Sequence, residues 1–585
     1  MRGSRKNAFD VAMSEENHVS LVVVLHAFTF GPANMRPVCN AVRQAKENVH
    51  VITPALPLGL FSTADANQLA SDLLECIEKQ VQFRSSRGWD KFREIVFIGH
   101  SLGALIARKV YVLCCGTPDA PFEADAPWMS RRQWAGDVKR IVLLAGMNRG
   151  WSITHHLNIK TAIQLSIGGA FGHLLLSIFG ARLVIFEVQR GSAFLTQLRL
   201  QWIALARHLD KEGLPMATTV QLLGTIDDLV SPDDNIDLET GRDFLYLDVP
   251  HSGHGNVIEF DDPEFGEERR TAFQEALVES VDALRQKSIL PADPDLAQVR
   301  PDVTNVIFVI HGIRDAGYWT HKIARKVVAM GQSPPRIYAS ETSTYGYVQM
   351  IPFLLPSRRR QKVQWLMDQY VEAKFLYPKA TFSYVGHSNG TYLLANALEN
   401  YPACRFDNVV FAGSVVRKDF DWNAAIARGQ VKSVLNYVAT ADRVVAWFPG
   451  ALEELRLQDL GTAGHNGFLQ ARFENGDPGL PLPPIYERRY VRGGHGSALV
   501  EKNWDDIAHF VVNGKPQEKI HIEMADTRDW SVVCVGWIAP VVWVVLMGLV
   551  YLGATKVWSL PWPEWAKTSS IIVYAALIWR ILTRF

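Results

Sequence analysis

Two serines stand where a backbone turn could make them nucleophiles. Ser101 is the centre of Gly99-His100-Ser101-Leu102-Gly103 and Ser388 the centre of Gly386-His387-Ser388-Asn389-Gly390, both of the form G-x-S-x-G. Each follows an apolar run and precedes a helix-like stretch. In that setting a strained strand-to-helix turn pushes the serine out at the top of a sheet, and a side chain in place of either glycine would clash. A hydroxyl is a weak nucleophile at neutral pH and needs a base to take its proton as it attacks. The oxyanion that then forms needs N–H donors. One accidental match to the pentapeptide has a chance of roughly 0.2 in a chain of this length and composition. Two matches, both after strands and both reading Gly-His-Ser, are far rarer. The chain has no HExxH, no Walker loop and no GxGxxG after its first strand, so no metal or nucleotide cofactor is implied.

The elements that must position these serines occur twice in one order. The first half reads LVVVLHAFTFG, REIVFIGHSLGALIA, KRIVLLAG, TTVQLLGTIDDLV and FLYLDVPHSGHGNVIEF; the second reads NVIFVIHGIRDAG, ATFSYVGHSNGTYLLA, NVVFAGS, SVLNYVATADRVV and YERRYVRGGHGSALVE. Short β-branched runs bounded by Gly, Asp or His predict buried strands, and amphipathic stretches such as NQLASDLLECIEKQVQF predict helices. Their alternation predicts an α/β fold with a mostly parallel sheet and helices on both faces, in two tandem copies. His26 to Ser101 is 75 positions and His311 to Ser388 is 77. Beyond the serines the halves diverge, which one ancestral fold with different insertions explains. The expected organisation is an N-terminal extension over 1–18, a first domain over 19–290 with a cap at about 151–217, a linker over 291–302, a second domain over 303–515 with an insertion at about 446–484, and a membrane anchor over 530–585.

On these motifs the chain resembles the α/β-hydrolase superfamily, in particular its esterase and lipase-like members. The resemblance covers most of residues 19–285 and 303–512 and fades over both insertions. It implies partners in the order serine, acid, histidine. The family's acid motif, G/A-x-x-D-x-x-V, falls on Asp227 and Asp442, with Asp228 a rival in the first half. Aligning SGHGNVIEF with GGHGSALVE equates His254 with His495, with His251 a rival. The implied catalytic sets are Ser101, Asp227 and His254, and Ser388, Asp442 and His495. The histidine takes the serine proton, and the aspartate fixes the imidazole tautomer and stabilises the imidazolium. Oxyanion donors are implied at Leu102 and Asn389, after the nucleophiles, and near Phe28 and Ile313, after the first strand of each half. The first half departs from the family with His26-Ala27 where His-Gly is usual. In this family such histidines, here His26 and His311, more often pack or hydrogen-bond beneath the oxyanion hole than react.

The bulk numbers narrow the surroundings. Sixty basic and 60 acidic residues give zero formal charge, which does not support a nucleic-acid partner. The six cysteines show neither metal-ligand spacing nor a disulfide framework and read as reduced thiols. No apolar core follows the basic N-terminal residues, so they are not expected to form a secretory signal. Trp530–Thr555 contains no charge, and 26 such residues in one helix would reach about 39 Å, enough to cross a bilayer. A second apolar stretch, with Arg580, ends the chain and either spans with the arginine snorkelling or lies at the interface; if it spans, it makes with the first a hairpin that leaves the catalytic domains on the cytoplasmic side. Thr161–Ala181 is also uncharged, but a single crossing there would put Ser101 and Asp227 on opposite sides of the bilayer, so a cap over the first site is expected. Near Tyr345 and Tyr347, the run Arg358-Arg359-Arg360 reads equally as an anionic-headgroup contact and as a solvated loop.

The expected function is a membrane-anchored serine hydrolase cleaving a lipophilic carboxylic ester or acyl-lipid bond. Two other readings stand beside it. One is an acyltransferase on the same fold, and the other a membrane scaffold with one inactive hydrolase domain. Neither the ester nor the oligomeric state is legible.

Overall fold

Leu21, Val23 and Leu25 face one apolar layer while Val22 and Val24 face another, so the first strand is buried on both sides. A strand sandwiched between two helical layers needs no polar face, which is why these segments read as continuous apolar runs. The computed structural model describes residues 9, 11, 13–14, 16–116, 130–151, 183–227, 244–289, 299–313, 317–342, 356–447, 459–471, 484–518 and 522–584. They form two units, Met1–Gln298 with Met367–Phe375, and Val299–Leu366 with Leu376–Phe585.

In the first unit the elements run β1 (Ser20–Leu25), α1 (Arg36–Ala45), β2 (Val49–Ile52), α2 (Ala66–Ser86), β3 (Glu94–His100), α3 (Leu102–Cys115), β4 (Val138–Leu144), α4 (Ala193–Lys211), β5 (Thr218–Gly224), β6 (Phe244–Val249), α5 (Gly266–Val278) and α6 (Val281–Lys287). The sheet is fully parallel in the order β2-β1-β3-β4-β5-β6. The chain turns outward from β1 to β2 and then back past β1 to β3. Loops leaving the carboxyl ends of β1 and β3 therefore part in opposite directions and open a crevice. One face is covered by α2, α3 and α4 through Leu73, Leu105 and Trp202, the other by α1 and α5 through Val42 and Phe273.

Part of the range 151–217, expected to form a cap, belongs to the core instead. Leu195, Leu198, Trp202, Leu205 and Leu209 of α4 are core residues, so 193–211 is the crossover helix between β4 and β5 and not a lid. Its first turn is capped by the Ser192 hydroxyl, which accepts the Leu195 N–H. Thr161–Ala181 lies outside the described residues, as do Asp228, Tyr345 and Tyr347.

The second unit repeats the plan: β7 (Asn305–Ile310), α7 (Thr320–Gly331), β8 (Tyr338–Glu341), α8 (Pro356–Leu376, of which Met367–Phe375 is counted with the first unit), β9 (Thr381–His387), α9 (Asn389–Asn400), β10 (Phe406–Ala412), α10 (Trp422–Ala427), β11 (Val431–Ala439), β12 (Ile485–Val491) and α11 (Trp504–Asn513). Its parallel sheet has the order β8-β7-β9-β10-β11-β12. Ile307, Val309, Val385 and Leu435 pack against Ile323 and Val327 of α7 and Ile507 and Phe510 of α11. The three arginines form no loop. They open α8, where Arg359 is buried and pairs with Asp459, while Arg358 and Arg360 are exposed.

Two apolar helices end the chain, α12 (Trp530–Trp558) and α13 (Glu564–Arg584). They pack together: a Cβ on Gly553 would fall 2.2 Å from the Tyr574 hydroxyl, which donates to the Val550 carbonyl at 3.2 Å. Contrary to the expectation of one straight span, no single described helix is long and apolar enough to cross a membrane. Trp530–Ala539 and Val544–Trp558 pass together, bent by 41°. Pro540 falls in the break and supplies no N–H to the helix.

Candidate active site

Ser101 follows β3 directly and begins α3 at φ 55, ψ −116; Ser388 stands between β9 and α9 at φ 52, ψ −117. A non-glycine residue held there costs on the order of 1–3 kcal/mol, which the surrounding packing must offset. The flanking glycines permit the turn. A Cβ on Gly99 would lie 2.5 Å from the Gly103 carbonyl oxygen, and one on Gly103 would lie 2.7 Å from that of Leu25. Both obstacles are backbone, so no rotamer relieves them.

In the first unit the candidate triad is assembled. His254, in the loop after β6, places Nε2 2.7 Å from the Ser101 hydroxyl and Nδ1 3.1 Å from the Asp227 carboxylate. Asp227 follows β5. A carboxylate only accepts, so Nδ1 carries the proton and Nε2 is left to accept the Ser101 O–H. All three side chains are largely buried, which strengthens these bonds. His251, the rival histidine, is exposed, stacks on Phe265 and bonds to Glu268.

In the second unit His495 Nδ1 lies 3.1 and 2.9 Å from the two Asp442 oxygens, and buried Asp442 also accepts the Val445 N–H. Among the described residues, no hydrogen bond joins His495 to Ser388. The acid–base half is in place there and the base–nucleophile half is open.

Leu102 and Asn389 are the first residues of α3 and α9, so their N–H groups have no acceptor within the helix and sit at its positive end. Phe28 and Ile313, both half-buried, follow the loops after β1 and β7. These loops meet the nucleophiles differently. Ala27 is accommodated in the first unit. A Cβ at the equivalent Gly312 would lie 2.7 Å from Ser388 Cβ and 3.3 Å from Ser388 Oγ. His26 does not touch the serine: its Nδ1 donates to the Ala27 carbonyl at 2.9 Å and its Nε2 accepts the Leu56 N–H at 2.9 Å. Burial lowers its pKa, consistent with that neutral, doubly bonded ring. His311 likewise bonds to the Gly312 carbonyl at 2.7 Å.

The sequence reading passed over one pair. His100 lies 2.8 Å through Nε2 from the His254 carbonyl, and His387 lies 3.4 Å from that of His495. Burial pushes the pKa of His100 down to about 3, so the ring is neutral and Nε2–H donates. Each of these histidines tethers the backbone of the candidate catalytic histidine of its own unit. The signal was the repeated Gly-His-Ser.

Solved structures similar to this chain include a lipase-esterase related protein from Clostridium acetobutylicum (12% identical, covering 45% of this chain and 97% of that one, TM-score 0.25). A soluble variant of monoglyceride lipase from Saccharomyces cerevisiae is 12% identical, covering 48% and 92%, with a TM-score of 0.30. Carboxyl esterase 2 from Tuber melanosporum is 11% identical, covering 46% and 80%, with a TM-score of 0.31. Identities and scores this low say nothing of activity. A search of curated protein sequences finds no match. Residues 22–269, which carry the first nucleophile turn and both of its partners, match the sequence model of the alpha/beta hydrolase family.

Proposed function

We propose that this protein is a serine hydrolase that cleaves carboxylic esters of lipophilic alcohols or acids, with Ser101 as the principal nucleophile. The observation that carries the reading is the Ser101–His254–Asp227 chain, with contacts of 2.7 and 3.1 Å behind a serine at positive φ. His254 Nε2 takes the Ser101 proton as Oγ bonds to the ester carbonyl carbon. Asp227 stabilises the resulting imidazolium. The N–H groups of Leu102 and Phe28 receive the oxyanion. His254 then gives the proton to the departing alkoxide, leaving an acyl group on Ser101 Oγ; a water deprotonated by the same nitrogen attacks that acyl carbon, the C–Oγ bond breaks, and the proton returns to Ser101 as the acid leaves. Ser388, His495 and Asp442 form a second site of the same chemistry, acting more slowly because the histidine must first close on the serine. We further propose that α12 and α13 anchor the chain in a bilayer. Support comes from the exposed Trp537, Val541, Val544, Leu549 and Leu552 and from the close packing of the two helices. Arg580 and Arg584 favour the cytoplasmic side for the catalytic units.

Labelling with a fluorophosphonate tests the assignment. Ser101→Ala should remove the fast phase, Ser388→Ala the slow phase, and the double variant all label. Label retained in the double variant would overturn it.

A further inference from the structure

A cavity of about 620 Å3 lies in the second unit beside the candidate acid. Its polar wall includes Lys418, His465, Asn466 and Arg528, and its apolar wall includes Val533 and Trp537 of α12. The turn carrying His465 folds back onto the segment after β10, where Gly464 N–H donates to the Ser414 carbonyl at 2.8 Å. Gly413, next to it, abuts the catalytic-histidine candidate: a Cβ there would lie 2.8 Å from the His495 ring. Ala446, which also lines the cavity, donates its N–H to the Asp442 carbonyl at 3.1 Å.

The polar wall carries two cations, Lys418 and Arg528. Arg528 hydrogen-bonds to Asn466 Oδ1 and meets His465 Nε2 at 3.4 Å. A guanidinium cannot accept, so His465 Nε2 is the acceptor and its proton sits on Nδ1. That Nδ1–H is buried, on a residue only 4% exposed, and meets no acceptor among the described residues. Burial and Arg528 together push the pKa of His465 down to about 4, so the ring is neutral and keeps one N–H. Arg528 meets no carboxylate among the described residues. Arg528, Lys418 and neutral His465 line one cavity, and two cations there suit a group that only accepts and carries negative charge. The apolar wall continues along α12 into its exposed apolar surface.

We propose that this cavity is the headgroup subsite of the second active site and holds the phosphate of an anionic amphiphile whose chain lies along Val533 and Trp537. The proposal rests on reading Ser388 as an ester-cleaving nucleophile and α12 as membrane-embedded, and names the substrate class for that site.

The test is a calorimetric titration of the full chain in neutral detergent micelles. The ligands are dihexanoyl phosphatidate, dihexanoyl phosphatidylcholine and inorganic phosphate. Phosphatidate should bind at least about tenfold more tightly than the other two. Arg528→Gln and Lys418→Gln, on separate segments, should each weaken it about tenfold or more, the scale of one charged hydrogen bond. Arg528→Lys, which keeps the charge, should recover part of the loss. Equal binding of phosphatidylcholine would overturn the anionic subsite, and equal binding of inorganic phosphate would make it a site for free phosphate and not for a lipid. Binding unchanged in both glutamine variants, with their thermal midpoints preserved, would also overturn it. Ser388 labelling and flotation on neutral vesicles, read on the same preparations, show separately whether either parent reading has failed.

Discussion

Replacing Gly312 by alanine should slow the reaction at Ser388 about a hundredfold. The new Cβ would stand 2.7 Å from Ser388 Cβ and 3.3 Å from both Ser388 Oγ and His387 Nδ1. Carbon atoms rest at about 3.5–4.0 Å, so either the loop or the serine must move by roughly 1 Å. Overpacking of this kind costs about 1–3 kcal/mol. The serine is the less secure partner, because it is already held at φ 52. A displacement of about 1 Å at a reacting atom is worth on the order of a hundredfold in rate. The assay is fluorophosphonate labelling in a Ser101→Ala background, so that all label reports on Ser388. The matched control is Ala27→Gly in a Ser388→Ala background, which removes a methyl the first site accommodates and should change Ser101 labelling by no more than about threefold. If Gly312→Ala labels Ser388 within threefold of its parent, the loop after β7 does not bear on the nucleophile as described.

Three further outcomes are expected. His100 has a pKa of about 3 in the fold against 6.5 when exposed, so the unfolded chain binds the extra proton and the first unit loses stability as pH falls from about 6.5 towards 3. At pH 5 the loss is about 2 kcal/mol; calorimetric scans should show a smaller acid shift in His100→Gln, which keeps an N–H donor, and an identical shift would exclude His100 as the cause. A chain ending at Ala539 should stay folded and lose vesicle flotation. One ending at Thr527 should lower the midpoint of the second unit, because Arg528 bonds to Asn466, the Asp529 N–H bonds to the Thr440 carbonyl, and Val532 is buried.

The strand-to-helix serine turns were legible because three constraints coincide on few residues: an apolar strand, a positive-φ serine and glycines facing backbone. That Asp227 and His254, and Asp442 and His495, lie in contact was anticipated only through the order that the family resemblance implied. What stayed hidden depends on distance in space. Whether Ala27 fits and an alanine at position 312 would not is decided by how far each loop leans on its serine, and the local sequences differ there by one methyl. The extent of the cap was misjudged for a similar reason. The stretch AFLTQLRLQWIALARHLDK is amphipathic, and only its packing against α3 distinguishes a crossover helix from a lid. Pro540 was visible, but composition alone does not set the bend it imposes.

The two units share strand order, nucleophile turn and tethering histidine, yet their insertions fall on opposite sides of the acid. In a parallel sheet every loop that leaves the carboxyl end of a strand overhangs the crevice. Position in the sequence therefore decides which wall of the site an insertion builds. In the first unit the added residues precede β5 and Asp227, and part of them serves as α4 in the core. In the second the added residues follow Asp442 and return along Ser414–Lys418, bringing His465 beside the acid. The chain then runs from β12 through Arg528 into α12, so the same cavity receives a cation and the start of the apolar helix. A scaffold that keeps its catalytic turn fixed can in this way change what it holds without moving the atoms that react.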